Sequence, residues 1–566
     1  MSQSIEYACR RLIDGYRDND ANISDSLVDT QAKRAAELVR RLRRPGVMTL
    51  PDPVGTGKTV VALAVAAYLV GDKTVNRILV IAPNDVVARL WCGRAQRLVS
   101  HAPPESQTFA KVRRTKKQIH WSSRELRVVT RQQLSKTTRP SDNGTLLVVD
   151  EAHRGLQKRG GFHDELEAWA ANQRCLLVTA TPFQLSTQDL LTMLDVAGGT
   201  IVSHQRSVIE NYGRAVTRLA RYCAKFQGEG HSETELVDDH HAQELVKRVI
   251  ESAGEARAGI DQLVLPPAKM LAKLPHHPRL NPLCQVEVPG LVRPDLISLG
   301  AHAVAHNVAR TIPELLDRGK GDMFNRQLVS SAESFWESMA GQALADPSLE
   351  VLEAARITGS ALSRLNQELR AALGTGKDHP KIAATVRWVA SRMNSVPRHH
   401  ILVFCVFDAT RRSLEAALKK ELGANAVASP GGDKIPKHLA ERFMKEPQDG
   451  SDPLVMIVQD RFSESIDLDG GNPYLVHHDL PWNPARISQR WGRVVRAGSK
   501  FHPVKPENIY LPVLDTEVDR RLYETLVGRQ AVGDILIPRG TGLDEYDGGT
   551  GSIPLAIMKK LATPWK

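Results

Sequence analysis

A chain of 566 residues, 42% of them hydrophobic, is too long for one core and implies about three structural units. Its formal net charge of +11 favours a polyanionic partner without naming it. The six cysteines (Cys9, Cys92, Cys175, Cys223, Cys284, Cys405) show no C-x-x-C pair or metal-ligand spacing, no apolar run nears ~18 residues, and the opening MSQSIEYACRR lacks a signal-peptide layout, so a disulfide framework, a zinc module and a membrane span are excluded and a soluble, cytoplasmic protein is expected.

Residues 1–30 read as a short amphipathic extension. A helix then opens at Gln31 and runs to Leu42. Gln31 lies at a distance from which its amide reads an adenine edge, and it suits an ordinary surface glutamine equally well. Gly46–Leu50 suits a buried strand and Val60–Val70 an all-round apolar, buried helix; between them stands LPDPVGTGKT. Strand, glycine loop and helix in that order make a phosphate cradle. Gly55, Thr56 and Gly57 offer bare N–H groups at a helix N-terminus, Lys58 reaches the β- and γ-phosphates of ATP, and Thr59 holds Mg²⁺. Asp52 departs from the general loop pattern, which has glycine there.

Arg77–Pro83 reads as a second strand and Val86–Val99 as its helix. From Lys111 to Arg139 there are ten Lys or Arg against one acid, Glu125, with Trp121 and a short strand, Arg127–Thr130, among them. This stretch reads as a contact to a phosphate backbone, against the plainer reading of a solvated basic loop. Thr145–Asp150 is an apolar strand with two acids at its C-terminal tip, where a parallel sheet places its ligands. Asp150 is suited to hold Mg²⁺ and Glu151 to orient or deprotonate a water. Cys175–Val178 is a further strand, ending in Thr179-Ala-Thr-Pro182.

DPVGTGKT, the box DEAH at 150–153 and TATP at 179–182 resemble motifs I, II and III of superfamily 2 helicases and translocases. Aspartate at position 52 is what Swi/Snf-type members tend to carry, and TPFQLSTQDLLTMLDVAGG is similar to the bacterial RNA-polymerase-associated branch of that group. Residues 201–375 carry no such motif. Arg326–Ala345 and Glu350–Leu373 have apolar residues at helical spacing, among them Val351, Ala355, Leu362, Leu365 and Leu369, and a mainly helical inserted domain is expected. His240, His241, His276 and His277 lack a Cys or acid at ligand spacing and read as solvated.

A second α/β pattern follows: strands at His400–Cys405, Pro453–Val458 and Tyr474–Asp479, with a helix at Arg411–Leu422. Gln459–Leu468 resembles motif V, with Ser465 where the family usually has glycine. DLPWNPARISQRWGRVVRAG, Asp479–Gly498, resembles motif VI, in which Gln489, Arg490, Gly492, Arg493 and Arg496 keep Q-R-x-G-R-x-x-R. The tail after Arg529 is Gly-rich before a short apolar end.

The resemblance implies two RecA-like lobes, parallel sheets with flanking helices, at 31–200 and 376–530, a helical insertion at 201–375 and a tail at 531–566. It implies ATP and Mg²⁺ between the lobes, with Lys58, Asp150, Glu151, Gln489, Arg493 and Arg496 as the catalytic set. Thr130, His153, Thr179, Thr181 and Asp467 would serve nucleic-acid contact or coupling. The implied partner is nucleic acid, DNA before RNA, and the implied activity is ATP-driven translocation; an ATP-gated switch in a bacterial defence complex and an RNA helicase are the alternatives. The insertion and tail are the candidate protein-binding surfaces, and a bacterial source would make the protein nucleoid-associated.

Overall fold

The computed structural model describes most of residues 2–265 and 379–514, the segment 284–286, and single positions between 326 and 334 and between 519 and 536. The chain divides into two units, one holding Met1–His277, Asn483–Ser499 and Val527–Lys566, the other Pro278–Trp482 and Lys500–Leu526.

The first unit begins with helices α1 (Ser2–Arg17) and α2 (Asp25–Arg41), whose first turn is closed by the Ser24 hydroxyl accepting the Leu27 N–H at 3.3 Å. Then follow β1 (Gly46–Leu50), α3 (Lys58–Gly71), β2 (Arg77–Ala82) and α4 (Asp85–Ser100). The basic stretch forms an antiparallel hairpin of β3 (Val112–Thr115) and β4 (Gln118–Trp121) before β5 (Leu126–Thr130) and the single turn α5 (Arg131–Leu134). After it come β6 (Thr145–Asp150), α6 (Gly161–Ala170), β7 (Arg174–Val178), α7 (Thr187–Asp195), α8 (Ser203–Gly228), α9 (Glu233–Asp238) and α10 (His240–Ile260).

Five strands pair in the order β1-β7-β6-β2-β5, every pair parallel. A parallel sheet needs cover on both faces, which explains why its strands are nearly continuous apolar runs. Successive residues point to opposite faces. Val47, Leu79, Ile81, Val129, Leu147, Val149, Cys175 and Leu177 join one core cluster, and their neighbours Met48, Leu50, Ile78, Val80, Leu146, Val148, Leu176 and Val178 join another. Helices α1 to α4 cover the second face, while α6 to α10 cover the first.

This unit runs past residue 200. Ile209, Tyr212, Leu219, Val246 and Val249 of α8 and α10 lie in the same cluster as the sheet. Beyond α10 the chain returns to β1, where the Thr49 N–H donates to Leu263 O at 2.7 Å and the Leu265 N–H to Thr49 O at 2.9 Å. The first 65 or so residues of the segment expected to be an insertion are thus built into the first sheet's core.

The second unit contains β8 (Cys284–Val286), α11 (Pro380–Met393), β9 (Ile401–Cys405), α12 (Asp408–Leu422), β10 (Val427–Ala428), α13 (Lys437–Phe443), β11 (Val455–Gln459) and β12 (Tyr474–His477). The helix α14 (Pro484–Trp491) belongs to the first unit, and β13 (Ile509–Tyr510) and β14 (Pro512–Leu514) return to the second. Here the order is β10-β11-β9-β12-β13, again all parallel, with β8 pairing in parallel with β14. Ile382 and Val389 of α11 and Leu414 and Leu418 of α12 bury against Val403, Ile457 and Val476. Lys381 and Asp519, both about 1% exposed, pair at 2.8 Å and tie α11 to the end of this unit.

Two parallel-sheet α/β lobes with flanking helices are therefore present, as the sequence implied. The helical expectations at Arg326–Ala345 and Glu350–Leu373 and the tail lie almost wholly outside the described residues. Among the described residues no helix is long and apolar enough to cross a membrane. Cys9, Cys175, Cys223 and Cys405 are free and buried, and Cys92, beside Trp91 on α4, is free and half-buried.

Candidate nucleotide site

The loop after β1 turns on two glycines, Gly55 and Gly57, both at φ +83°. That left-handed conformation costs glycine little and any other residue more, and it turns successive N–H groups to one side. Gly57 begins α3, its carbonyl accepting the Val60 and Val61 N–H groups at 2.8 and 3.1 Å. Helix α2 lies over the loop. Gln31, 6% exposed, donates from Nε2 to Thr56 O at 2.8 Å, and a Cβ on Gly57 would run into the same amide. Asp52, 2% exposed, accepts from Arg34 Nε at 3.1 Å and also from Nη2. The carboxylate that replaces the usual glycine thus anchors the loop to α2 through a two-point ion pair.

Thr59 and Asp150 each meet a residue of α4. Arg94 Nη1 donates to Thr59 Oγ1 at 3.2 Å, and Trp91 Nε1 to Asp150 Oδ2 at 2.6 Å. Residues three apart on a helix face the same way, so one face of α4 addresses both hydroxyl and carboxylate. Burial, and then the neighbouring charge of Glu151, push the Asp150 carboxyl up to about 6, while the Trp91 N–H and the Lys58 ammonium pull the other way.

Glu151 has φ +48°, a strained value for a side-chain-bearing residue. Its backbone is held on both sides: Arg131 Nη2 donates to Asp150 O and Glu151 O at 3.2 and 2.8 Å, and the Ala152 N–H to Val178 O at 3.0 Å. Glu151 Oε2 is buried, accepts no hydrogen bond among the described residues and lies 3.4 Å from His153 Nδ1. His153 Nδ1 is 2.8 Å from Thr179 Oγ1, and its Nε2 is 3.3 Å from Gln489 Nε2. An amide N–H only donates, so His153 accepts at Nε2 and carries its proton on Nδ1, toward Thr179.

The structure thus brings Gln31, Gly55, Thr56, Gly57, Lys58 and Thr59 to one loop and Asp150, Glu151, His153, Thr179 and Gln489 to one neighbourhood. Thr130 is buried where β5 meets α5, its N–H donating to Gln133 Oε1 at 3.0 Å. Arg493 sits in the turn after α14, half-buried, its N–H on Arg490 O at 3.2 Å. Thr181, Asp467, Arg496 and Ser465 lie outside the described residues. Trp91, Arg94, Arg131 and the Arg34–Asp52 pair escaped the sequence reading; the one signal available for the first two was their three-residue spacing on the helix after β2.

Residues 24–184 match the family model described as type III restriction enzyme, res subunit, and residues 381–498 the helicase conserved C-terminal domain. Among curated relatives, the RNA polymerase-associated protein RapA of Pseudomonas fluorescens Pf-5 is 28% identical over 149 residues, 25% of this chain and 14% of that protein. RapA of Pseudomonas putida F1 is 25% identical over 273 residues, 46% of this chain and 27% of its own. The similarity therefore spans well under a third of these relatives' length. Among solved structures, the Hef helicase domain of Pyrococcus furiosus is 17% identical, covers 88% of this chain and 99% of its own, and gives a TM-score of 0.40. The SWI2/SNF2 ATPase core of Sulfolobus solfataricus in complex with dsDNA is 15% identical over 92% of this chain and 94% of its own, with a TM-score of 0.32.

Proposed function

The chain is a superfamily 2 helicase of Swi/Snf-like type, and from that premise we propose that it is a motor that hydrolyses ATP with Mg²⁺ and moves on nucleic acid, duplex DNA in preference to RNA. One observation carries the reading: Gly55, Gly57, Lys58 and Thr59 after β1 and Asp150 and Glu151 at the tip of β6 gather at the C-terminal ends of one parallel sheet.

In this reading the loop N–H groups and Lys58 bind the phosphates, and Thr59 and Asp150 hold the metal. The donor set fits, a hydroxyl and a carboxylate beside a cradle in which a Cβ at Gly57 would displace the Gln31 amide. Bound Mg²⁺ supplies charge neutralisation on the phosphate oxygens. Glu151, with a buried oxygen that accepts no hydrogen bond among the described residues, orients the attacking water. Gln489, Arg493 and Arg496 serve the γ-phosphate, and guanidinium groups so used contribute about 10³–10⁵ in rate. The His153 bridge between Thr179 and Gln489 links the hydrolytic acids to motif VI, so that the state of the nucleotide biases α14. The basic hairpin β3–β4 and the +11 net charge supply phosphate-backbone contact.

A second reading is favoured by the match of residues 24–184 to a restriction-enzyme subunit model: an ATP-gated subunit of a larger assembly that moves little. The relatives' association with RNA polymerase, stated in their name, points likewise to a protein partner and a nucleoid setting in the cytoplasm. Steady-state ATP hydrolysis of the full chain, alone and with duplex DNA, single-stranded DNA or duplex RNA, separates the readings. Strong stimulation by duplex DNA is expected, with Lys58→Ala at background turnover yet retaining DNA binding. A rate that no nucleic acid changes would overturn the motor in favour of the gated subunit.

A further inference from the structure

We propose that His163, Asp164 and Glu167, on the first turns of α6, form a binding site for a divalent transition-metal ion of the Zn²⁺ class, separate from the nucleotide site. His163 is 1% exposed, and its Nε2 lies 3.1 Å from the backbone carbonyl of Thr192. A carbonyl only accepts, so Nε2 carries hydrogen and neutral imidazole presents its lone pair at Nδ1. That Nδ1 is buried and has no hydrogen-bond partner among the described residues. It faces Asp164 Oδ1 at 3.6 Å and Glu167 Oε2 at 4.0 Å, and neither carboxylate has another ion-pair partner among the described residues.

A lone pair facing two carboxylates is a repulsive arrangement that a cation relieves. A proton on Nδ1 would draw one carboxylate to hydrogen-bond distance, about 2.8 Å. Instead the nitrogen stands back from both oxygens, and the three ligand atoms lie within 4.8 Å of one another. Bonds of about 2.1 Å to a common tetrahedral ion place ligands about 3.4 Å apart, within reach of small rotations of the two exposed carboxylates. The Thr192 carbonyl on the far nitrogen is the support that orients a metal-bound imidazole. One nitrogen and two oxygens suit a borderline ion rather than Mg²⁺ or Ca²⁺, and leave coordination positions for water.

Its position gives the site a route to the rest of the lobe. Phe162, the preceding residue, carries the Arg131 guanidinium 5.4 Å above its ring, and Arg131 holds the Asp150 and Glu151 carbonyls. An ion at the start of α6 would therefore stiffen the brace behind the DEAH box.

The test is titration of the metal-depleted, nucleotide-free full chain with Co²⁺, read by visible absorption, and with Zn²⁺, read by calorimetry. One equivalent is expected to bind in the micromolar range or tighter with a Co²⁺ ligand-field spectrum. Asp164→Asn/Glu167→Gln, two exposed changes that leave the fold in place, should weaken it at least tenfold, and Asp150→Asn should leave it unchanged. Absence of saturable binding, or an equivalent that survives the double substitution, would overturn the site.

Discussion

Asp52 shows how one side chain can replace a glycine and still serve the same loop. Its pair with Arg34 is buried, so removing one partner strands a charge, at a cost of about 3–5 kcal/mol. Urea unfolding should show Asp52→Ala destabilised by that order, with Arg34→Met/Asp52→Gly recovering most of it; equal losses in both would show that the pair does not act as a unit. Asp150 makes a pH-dependent prediction. Its carboxyl is raised from 3.8 to about 6, so the folded chain keeps a proton that the unfolded chain releases. That contribution to stability is complete below about pH 4 and is lost as pH rises through about 6. Metal binding needs the carboxylate, so it runs the other way: half-saturating Mg²⁺ for binding a non-hydrolysable nucleotide should be flat above about pH 7 and rise roughly tenfold between about pH 7 and pH 5. A flat profile down to pH 5 would refute the assignment. Residues of this kind were legible where their spacing is local, as in Gly55 to Thr59 or Asp150 and Glu151. Arg34 and Asp52 were not, because nothing in the intervening chain marks two residues on different elements as partners.

At the scale of elements, α4 stands out because one face touches both expected metal ligands, with opposite consequences. Trp91 points Asp150 and favours its charged form, whereas Arg94 places a cation on the Thr59 oxygen that Mg²⁺ would take. A hydrogen bond to a charged group is worth about 1.5–3 kcal/mol, so Trp91→Phe should raise half-saturating Mg²⁺ about tenfold or more, and Arg94→Gln should lower it. Nucleotide binding measured across a Mg²⁺ series without turnover decides this; shifts of the same sign in both variants would show that α4 merely packs. Strands were the most legible elements, since a buried parallel strand is an unbroken apolar run. The β3–β4 hairpin was not, because Val112–Thr115 has no apolar alternation and the alternation of Gln118–Trp121 spans only four residues within a cation-rich stretch. Helices α8 and α10 were legible as helical substance, but their apolar faces do not say which sheet they cover.

Across the whole molecule, the two parallel-sheet lobes followed from the order of strand, loop and helix in each half of the chain. What the order could not supply is where the first lobe's core ends. Ile209, Tyr212, Val216, Leu219, Val246 and Val249 lie beyond residue 200 and bury against its sheet. Each large apolar side chain uncovered costs about 1.5–3 kcal/mol, and a domain's entire stability is about 5–15 kcal/mol. A fragment of residues 2–200 should therefore aggregate or bind hydrophobic dyes, while residues 2–277 should unfold cooperatively; a well-behaved 2–200 fragment would show α8 and α10 to be dispensable. The same depth of packing shapes the molecule's thiol chemistry. Burial pushes Cys9 and Cys175 up to about 12 and Cys223 to about 11, leaving them poor nucleophiles, whereas Cys92 is raised less and is half-buried beside Trp91. In a Cys284→Ser background, a maleimide fluorophore at mildly alkaline pH would thus find its foothold at Cys92, and its emission would follow α4 in real time as nucleotide arrives and departs.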